Sequence, residues 1–194
     1  GVVEIESTQS GSWTITRSGS TLSIQKPGRT SATLIVTFDP QGRVTQVTDD
    51  GEVKNYSWGT SSGDTLVSMT DSDGGDGSVT SDPTSGRILT STNAASQTVT
   101  HEYNPYGWLY KSTFPEGNYV SYGYDSRGNV IQTTLVAKPG SGEASIVTSA
   151  DYDSTCTSQA KCNKPNYVVD ANGNRTDFTY DATTGLVTKV QQPA

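Results

Sequence analysis

The sequence predicts an all-β protein made of stacked antiparallel β-hairpins, each about 21 residues long. Three observations predict it. First, Leu and Ala, which lead the helix scale, together number only 17, while β-branched Val alone numbers 17. Second, Ser and Thr fill 54 of the 194 positions, and only 31% of residues are hydrophobic. That is too little apolar surface for one thick core, and it suits a thin sheet with wetted faces. Third, one motif recurs in phase: an aromatic, Asp or Asn, two variable residues, Gly, one variable residue, then an aliphatic. Ten Tyr and three Trp, with regular β-branched alternation, argue against disorder.

The motif reads Phe38-Asp39-Pro40-Gln41-Gly42-Arg43-Val44, then Tyr103-Asn104-Pro105-Tyr106-Gly107-Trp108-Leu109 and Tyr124-Asp125-Ser126-Arg127-Gly128-Asn129-Val130. A fourth copy, Tyr180-Asp181-Ala182-Thr183-Thr184-Gly185-Leu186, carries one extra residue. Gly42, Gly63, Gly86, Gly107 and Gly128 follow one another at intervals of 21, 23, 21 and 21. At Gly63 and Gly86 the phase persists without a recognisable aromatic-acid pair. The 57 residues from Gly128 to Gly185 fit two periods plus about 15 inserted residues.

The residue types say what each copy builds. Asp or Asn starts a turn by accepting from the backbone two residues on. Gly then takes the left-handed backbone of a tight hairpin or bulge. An alternating strand comes next, such as Val130-Ile131-Gln132-Thr133-Thr134-Leu135. A second turn comes about ten residues later, at Asp50-Gly51, at Pro115-Glu116-Gly117-Asn118 and at Asp170-Ala171-Asn172-Gly173-Asn174. Residues 1–37 lack the motif but alternate, and are expected to form two or three lead-in strands. The repeat sheet is expected over 38–194, with a loop insertion at about 137–166 around one strand, Ser145 to Thr148. The whole reads as a single domain without a helix longer than a turn.

Charge narrows the function. A net charge of −7 and a pI near 4.6 give no electrostatic footprint for nucleic acid or an anionic membrane surface. No apolar run approaches the ~20 residues of a membrane span. No signal peptide is visible, and Gly1 reads as the cut end of a longer chain.

The Tyr-Asp-x-x-Gly-x-aliphatic unit at this period resembles the YD repeats of the Rhs family, which includes bacterial Rhs, wall-associated and teneurin-like surface proteins. The likeness rests on Tyr124 to Val130, on the Gly117 and Gly173 turns, and on Phe178-Thr179-Tyr180-Asp181, and runs from about residue 38 to the end. It implies that the hairpins wind into a curved, spiralling sheet, an arc of a hollow β-shell. The repeat residues are Phe38, Asp39, Gly42, Tyr103, Asn104, Gly107, Tyr124, Asp125, Gly128, Tyr180, Asp181 and Gly185. The resemblance further implies a non-catalytic module that encloses, carries or displays a C-terminal effector, often a toxin, of a secreted or cell-surface protein. Its partners would be the neighbouring repeats and that effector; no cofactor is implied. About nine periods make only a middle slice of such a shell. The family's self-cleaving aspartyl site has no counterpart, because Asp39-Pro40-Gln41-Gly42, which matches it superficially, sits inside an ordinary repeat.

Other motifs carry two readings each. Cys156 and Cys162 either staple a polar loop as a disulfide, contributing ~2.4 kcal/mol in the chain-entropy estimate, or remain free thiols. A lone pair fits an oxidising compartment, and one His is too few for zinc. Asp71, Asp73 and Asp76 in an Asp/Gly-rich run are either a flexible turn or a weak calcium candidate. Gly59-Thr60-Ser61-Ser62-Gly63 has a hydrolase-like spacing but no following helix, and His101 is expected on the solvent face of a strand. The pairs Asp49/Asp50 and Asp151/Asp153 read as turn residues before they read as glycosidase carboxylates. Tyr106, Trp108, Tyr110 and Tyr122 are either rungs of an inter-hairpin aromatic ladder or a binding strip for a cell-surface glycan. An isolated arc also exposes strand edges, so self-association is expected.

Overall fold

The structure, a computed structural model, describes residues 2–7 and 11–193. The described residues contain strands and turns and no helix. They divide into two compact units, residues 1–98 and 99–194.

In the first unit β1 (Val2–Ser7), β2 (Gly11–Ser18), β3 (Thr21–Gln25), β4 (Leu34–Phe38), β5 (Val44–Asp49), β6 (Glu52–Ser61), β7 (Asp64–Asp71), β8 (Gly77–Ser81) and β9 (Ile88–Thr92) form an antiparallel meander. Each strand pairs with the next in sequence. The second unit repeats the plan. It takes in β10 (Thr98–Tyr103) from Val99 onward, then β11 (Leu109–Thr113), β12 (Tyr119–Tyr124), β13 (Val130–Val136), β14 (Ile146–Asp151), β15 (Tyr167–Val169), β16 (Arg175–Tyr180) and β17 (Val187–Gln191). These too pair antiparallel with their sequence neighbours. The all-β hairpin reading therefore holds.

Three boundaries differ from expectation. The chain divides inside β10 into two units, whereas the sequence suggested a single domain with a lead-in ending at residue 37. Residues 1–37 hold three strands and most of a fourth, because β4 runs into the first motif and ends on Phe38. The strand in the insertion is Ile146–Asp151 rather than Ser145 to Thr148; its register with Val169, Val168 and Tyr167 carries it on to Asp151.

Burial is thin, as the low apolar share required. Among the residues whose burial is described only Thr33, Ser112, Cys162 and Gly185 are buried, the first three at 6% exposure each. The total accessible area is 12469 Å², against about 8,900 Å² for a single-core globule of this mass. Hydrogen-bonded ladders and half-buried side chains hold the fold, not a sealed interior.

Two turn designs join the strands. At Asp50-Gly51, both central residues are left-handed (φ 47° and 98°), and Asp49 pairs directly with Glu52. Ser62-Gly63 repeats that two-residue design between Ser61 and Asp64. The motif turns are longer. Asp39 C=O accepts from Gly42 N–H (2.9 Å), Asp39 N–H donates to Arg43 C=O (2.9 Å), and the ladder slips by one residue between Thr37 and Phe38. This is a type I turn closed by a glycine bulge. The same slip falls just before Tyr103, Tyr124 and Tyr180, so each motif aromatic stands at a bulge that re-aims it.

Candidate functional site

The motif acid builds its turn. Asp39 Oδ1 accepts from the backbone N–H groups of Gln41 and Arg43, both at 2.9 Å. Asn104 does the same for Tyr106 and Trp108 (3.0 Å each), Asp125 for Arg127 (2.8 Å) and Asn129 (2.9 Å), and Asp170 for Asn172 and Asn174 (2.9 Å each). One oxygen thus satisfies two donors that the hairpin reversal would leave unpaired. The second oxygen takes a side chain from the residue after the glycine: Arg43 Nε on Asp39 (2.7 Å), Asn129 Nδ2 on Asp125 (2.7 Å), Asn174 Nδ2 on Asp170 (2.9 Å). Burial pushes the Asp125 carboxyl up, but the Asn129 side chain, the Asn129 and Arg127 amides and the Arg127 charge outweigh it and hold it below the ordinary carboxylate value. Asp170 is lowered by Asn174, first through its side chain and then through its amide.

A second set of contacts links copy to copy. The Tyr124 hydroxyl donates to Leu109 C=O (2.6 Å) and the Tyr180 hydroxyl to Pro165 C=O (2.9 Å), each carbonyl lying just past the preceding turn. Trp58 Nε1–H makes the same bond to Val44 C=O (2.7 Å). The residue before each of those carbonyls covers the ring that reaches back to it. Trp108 lies 5.3 Å from Tyr124, Arg43 5.4 Å from Trp58, and Lys164 5.7 Å from Tyr180. Trp108 and Lys164 also close on the next turn glycine. A Cβ on Gly128 would stand 3.0 Å from the Trp108 ring, and one on Gly185 would meet Ala160 O at 2.2 Å and Lys164 Nζ at 2.7 Å. Both glycines are left-handed (φ 86° and 67°), a backbone glycine takes at no steric cost, and a side chain at either would also meet these neighbours. Partial burial raises the hydroxyl pKa of Tyr124, with Tyr122 adding to it, and of Tyr180, with Tyr152 adding to it; both stay donors at neutral pH.

This ladder revises the repeat register. The Gly63 copy has not lost its aromatic: Trp58 serves, displaced by one position because its turn is the two-residue kind. The Gly86 copy has not lost its acid either. Asp82 Oδ1 accepts from Thr84 (3.1 Å) and Ser85 (2.6 Å), as Asp181 accepts from Thr183 (3.0 Å) and Thr184 (2.7 Å). The equal spacing of Asp82-Pro83-Thr84-Ser85-Gly86 and Asp181-Ala182-Thr183-Thr184-Gly185 is the signal that marks it in the sequence. Tyr152-Asp153 is a further aromatic-acid pair that the motif spacing does not reveal. It opens a loop that replaces the usual turn between β14 and β15, and Cys156 and Cys162 are disulfide-bonded within it.

The aromatic candidates do converge. Tyr106, Trp108, Tyr110 and Tyr122 line one open groove of 420 Å³, with Asn104 and Asp125 at its polar side. Tyr106 stacks on Trp108 (5.1 Å, 25°) and is 75% exposed; Tyr110 is 49% exposed. Trp108 therefore serves both readings, as a ladder rung against Tyr124 and as groove floor.

Other candidates fall to structural duties. Asp71 Oδ1 accepts from the Asp73 and Gly75 amides, a turn-building role, and no set of three acidic, Cys or His residues among the described residues is placed to hold a metal. Ser61 and Ser62 lie in the β6–β7 hairpin, not on a strand-to-helix elbow. His101 is half-buried, not solvent-facing: its Nδ1 meets the Oγ of buried Ser112 at 2.9 Å across β10 and β11. Asp50 pairs with Lys26 (3.0 Å), Asp151 with Asn166 (3.0 Å) and Asp153 with Lys161 (3.1 Å).

Comparison with known proteins bears on the same stretch. Residues 103–138 match the family model of the RHS repeat. The matched stretch spans the Asn104 and Asp125 turns, the Tyr124 bond and the Trp108 cover, and the same kinds of contact recur outside it at Asp39, Trp58, Asp170 and Tyr180. No curated protein matches the chain. Forty chains of solved structures match it. One, the crystal structure of TcdB2-TccC3-Cdc42, is 16% identical with a TM-score of 0.47, over 94% of this chain and 9% of that one. No helix among the described residues is long and apolar enough to cross a membrane.

Proposed function

We propose that the chain from Phe38 onward is a run of RHS repeats acting as a non-catalytic stretch of wall. The wall encloses, carries or displays a C-terminal effector of a secreted or surface-displayed bacterial protein. The observation that supports this is the copy-to-copy ladder. Trp58, Tyr124 and Tyr180 each donate to a carbonyl of the preceding copy, the kind of contact by which repeats extend a sheet. Its material partners are the neighbouring repeats and the effector, and the disulfide suits an oxidising compartment. Limited proteolysis of the full-length polypeptide tests it. Polypeptide following the repeats should resist protease until the repeats are unfolded; cleavage of it at the rate of the unprotected segment contradicts the reading.

The groove favours a second role for the same wall, as an adhesion surface for neutral cell-surface glycans. Exposed Tyr106 and Tyr110 offer ring faces for sugar stacking, while Asn104 and Asp125 supply hydrogen-bonding groups. Binding on a glycan array that disappears with Trp108→Ala supports it; no binding to any glycan or cell envelope removes it.

A further inference from the structure

We propose that the Cys156–Cys162 disulfide is a thiol-sensitive lock on a seam at β15, whose reduction releases the β16–β17 hairpin from the rest of the second unit. The seam is visible in the ladder. β15 has three residues and three register pairs to each neighbour, whereas β12 and β13 share six. β11 and β12 also share only three pairs, but β15 alone among the described strands of the unit has no more than three on both of its sides.

The disulfide loop spans that weak point on the side of the turns. Ser158 Oγ–H donates to Ala182 C=O (3.1 Å), and Ala160 C=O presses on the Gly185 backbone. Both residues lie inside the ring that the disulfide closes. Just past the ring, Lys164 Nζ donates to Gly185 C=O and Pro165 C=O receives the Tyr180 hydroxyl. At the other end Arg127, from the preceding turn, donates to the Asp153 and Ser154 carbonyls, and Lys161 Nζ holds Asp153 (3.1 Å). One loop thus ties the turn before β13 to the turn before β17. Elsewhere in the unit that job needs a single side chain, Trp108. The fifteen-residue loop 152–166 does it only while its shape is held.

The bond is placed for attack from one side. Cys156 is exposed and Cys162 is buried. A thiolate of an added dithiol bonds to Cys156 Sγ, and the S–S bond breaks toward Cys162, which leaves as a thiolate and takes a proton. The reductant's second thiol then displaces Cys156 from the mixed disulfide. Two cysteine thiols and one oxidised dithiol result, a two-electron exchange. With the ring open, Ser158 and Ala160 are no longer constrained against Ala182 and Gly185. The three-residue ladder and the Lys164 and Pro165 contacts just past the ring then retain β16 and β17, and β17 is exposed along its whole length.

Hydrogen exchange on the intact chain, with and without dithiothreitol, tests this. Amide protection in β16 and β17 should fall at least about tenfold on reduction, while β11–β13 change less than about twofold. The Cys156→Ser/Cys162→Ser variant should reproduce the pattern without reductant. If that variant does not fold, reduction of the folded wild-type chain decides. Unchanged protection on reduction overturns the lock. Equal loss through the whole unit overturns it as well, because the disulfide would then stabilise the unit globally and no seam would exist.

Discussion

Asp125 carries two separable duties, and substitution tells them apart. Its Oδ1 satisfies the Arg127 and Asn129 amides, a role that Asn104 fills equally well with an amide oxygen. Asp125→Asn should therefore keep that role and lose only the Asn129 side-chain bond and the Arg127 ion pair, while Asp125→Ala also strands two backbone donors and should cost on the order of 1 kcal/mol more. Chemical denaturation of both variants checks this; equal costs would mean that the carboxylate charge, not the acceptor geometry, matters. Tyr124→Phe removes only the hydroxyl that reaches Leu109 C=O. A loss of about 1 kcal/mol is expected, against almost nothing for the same change at Tyr106, whose ring is 75% exposed. Equal effects would deny the link between copies.

At the scale of the element, the turns are acid-sensitive. Asp125, Asp170 and Asp181 are held below the ordinary carboxylate value by bonds made only in the fold. For Asp181 the Thr184 amide and hydroxyl come first, followed by the Thr183 amide. A pKa lower in the folded than in the unfolded chain gives stability that is full above the unfolded value, near about 4, and is lost as pH falls through the folded value. Denaturation midpoints should therefore drop below about pH 4, and hydrogen exchange should show the Asp125 and Asp170 turns loosening before the uncharged Asn104 turn. Simultaneous loosening of all three contradicts this.

The same elements show how far sequence reasoning reaches. Turn chemistry was legible because Asp-x-x-Gly has one purpose and a fixed spacing, and so was the strand alternation between turns. Trp58 was not, because a two-residue turn shifts the aromatic by one position and indole N–H replaces a tyrosine hydroxyl. Tyr152-Asp153 was hidden because an insertion stands in place of its turn glycine. Contact across copies is a property of register and bulge, which residue types imply without locating. The groove's four aromatics could be named from the sequence, but only the bulge before Tyr124 and the stacking of Tyr106 on Trp108 bring them to one place.

At the scale of the molecule, an antiparallel meander that ends on a strand leaves pairing groups unused. β17 pairs with β16 on one side, all five of its residues are exposed, and Leu186, Val187 and Val190 add apolar surface at 68%, 53% and 50%. The isolated chain should self-associate with concentration, and a charged substitution such as Val190→Lys should suppress it; light scattering showing a monomer throughout would refute that. Electron cryomicroscopy of the full-length polypeptide tests the wall reading most directly. The account predicts β4–β17 as part of a continuous sheet that surrounds density belonging to the rest of the chain. Density showing these strands as a free arm beside an exposed, separately folded effector would contradict it.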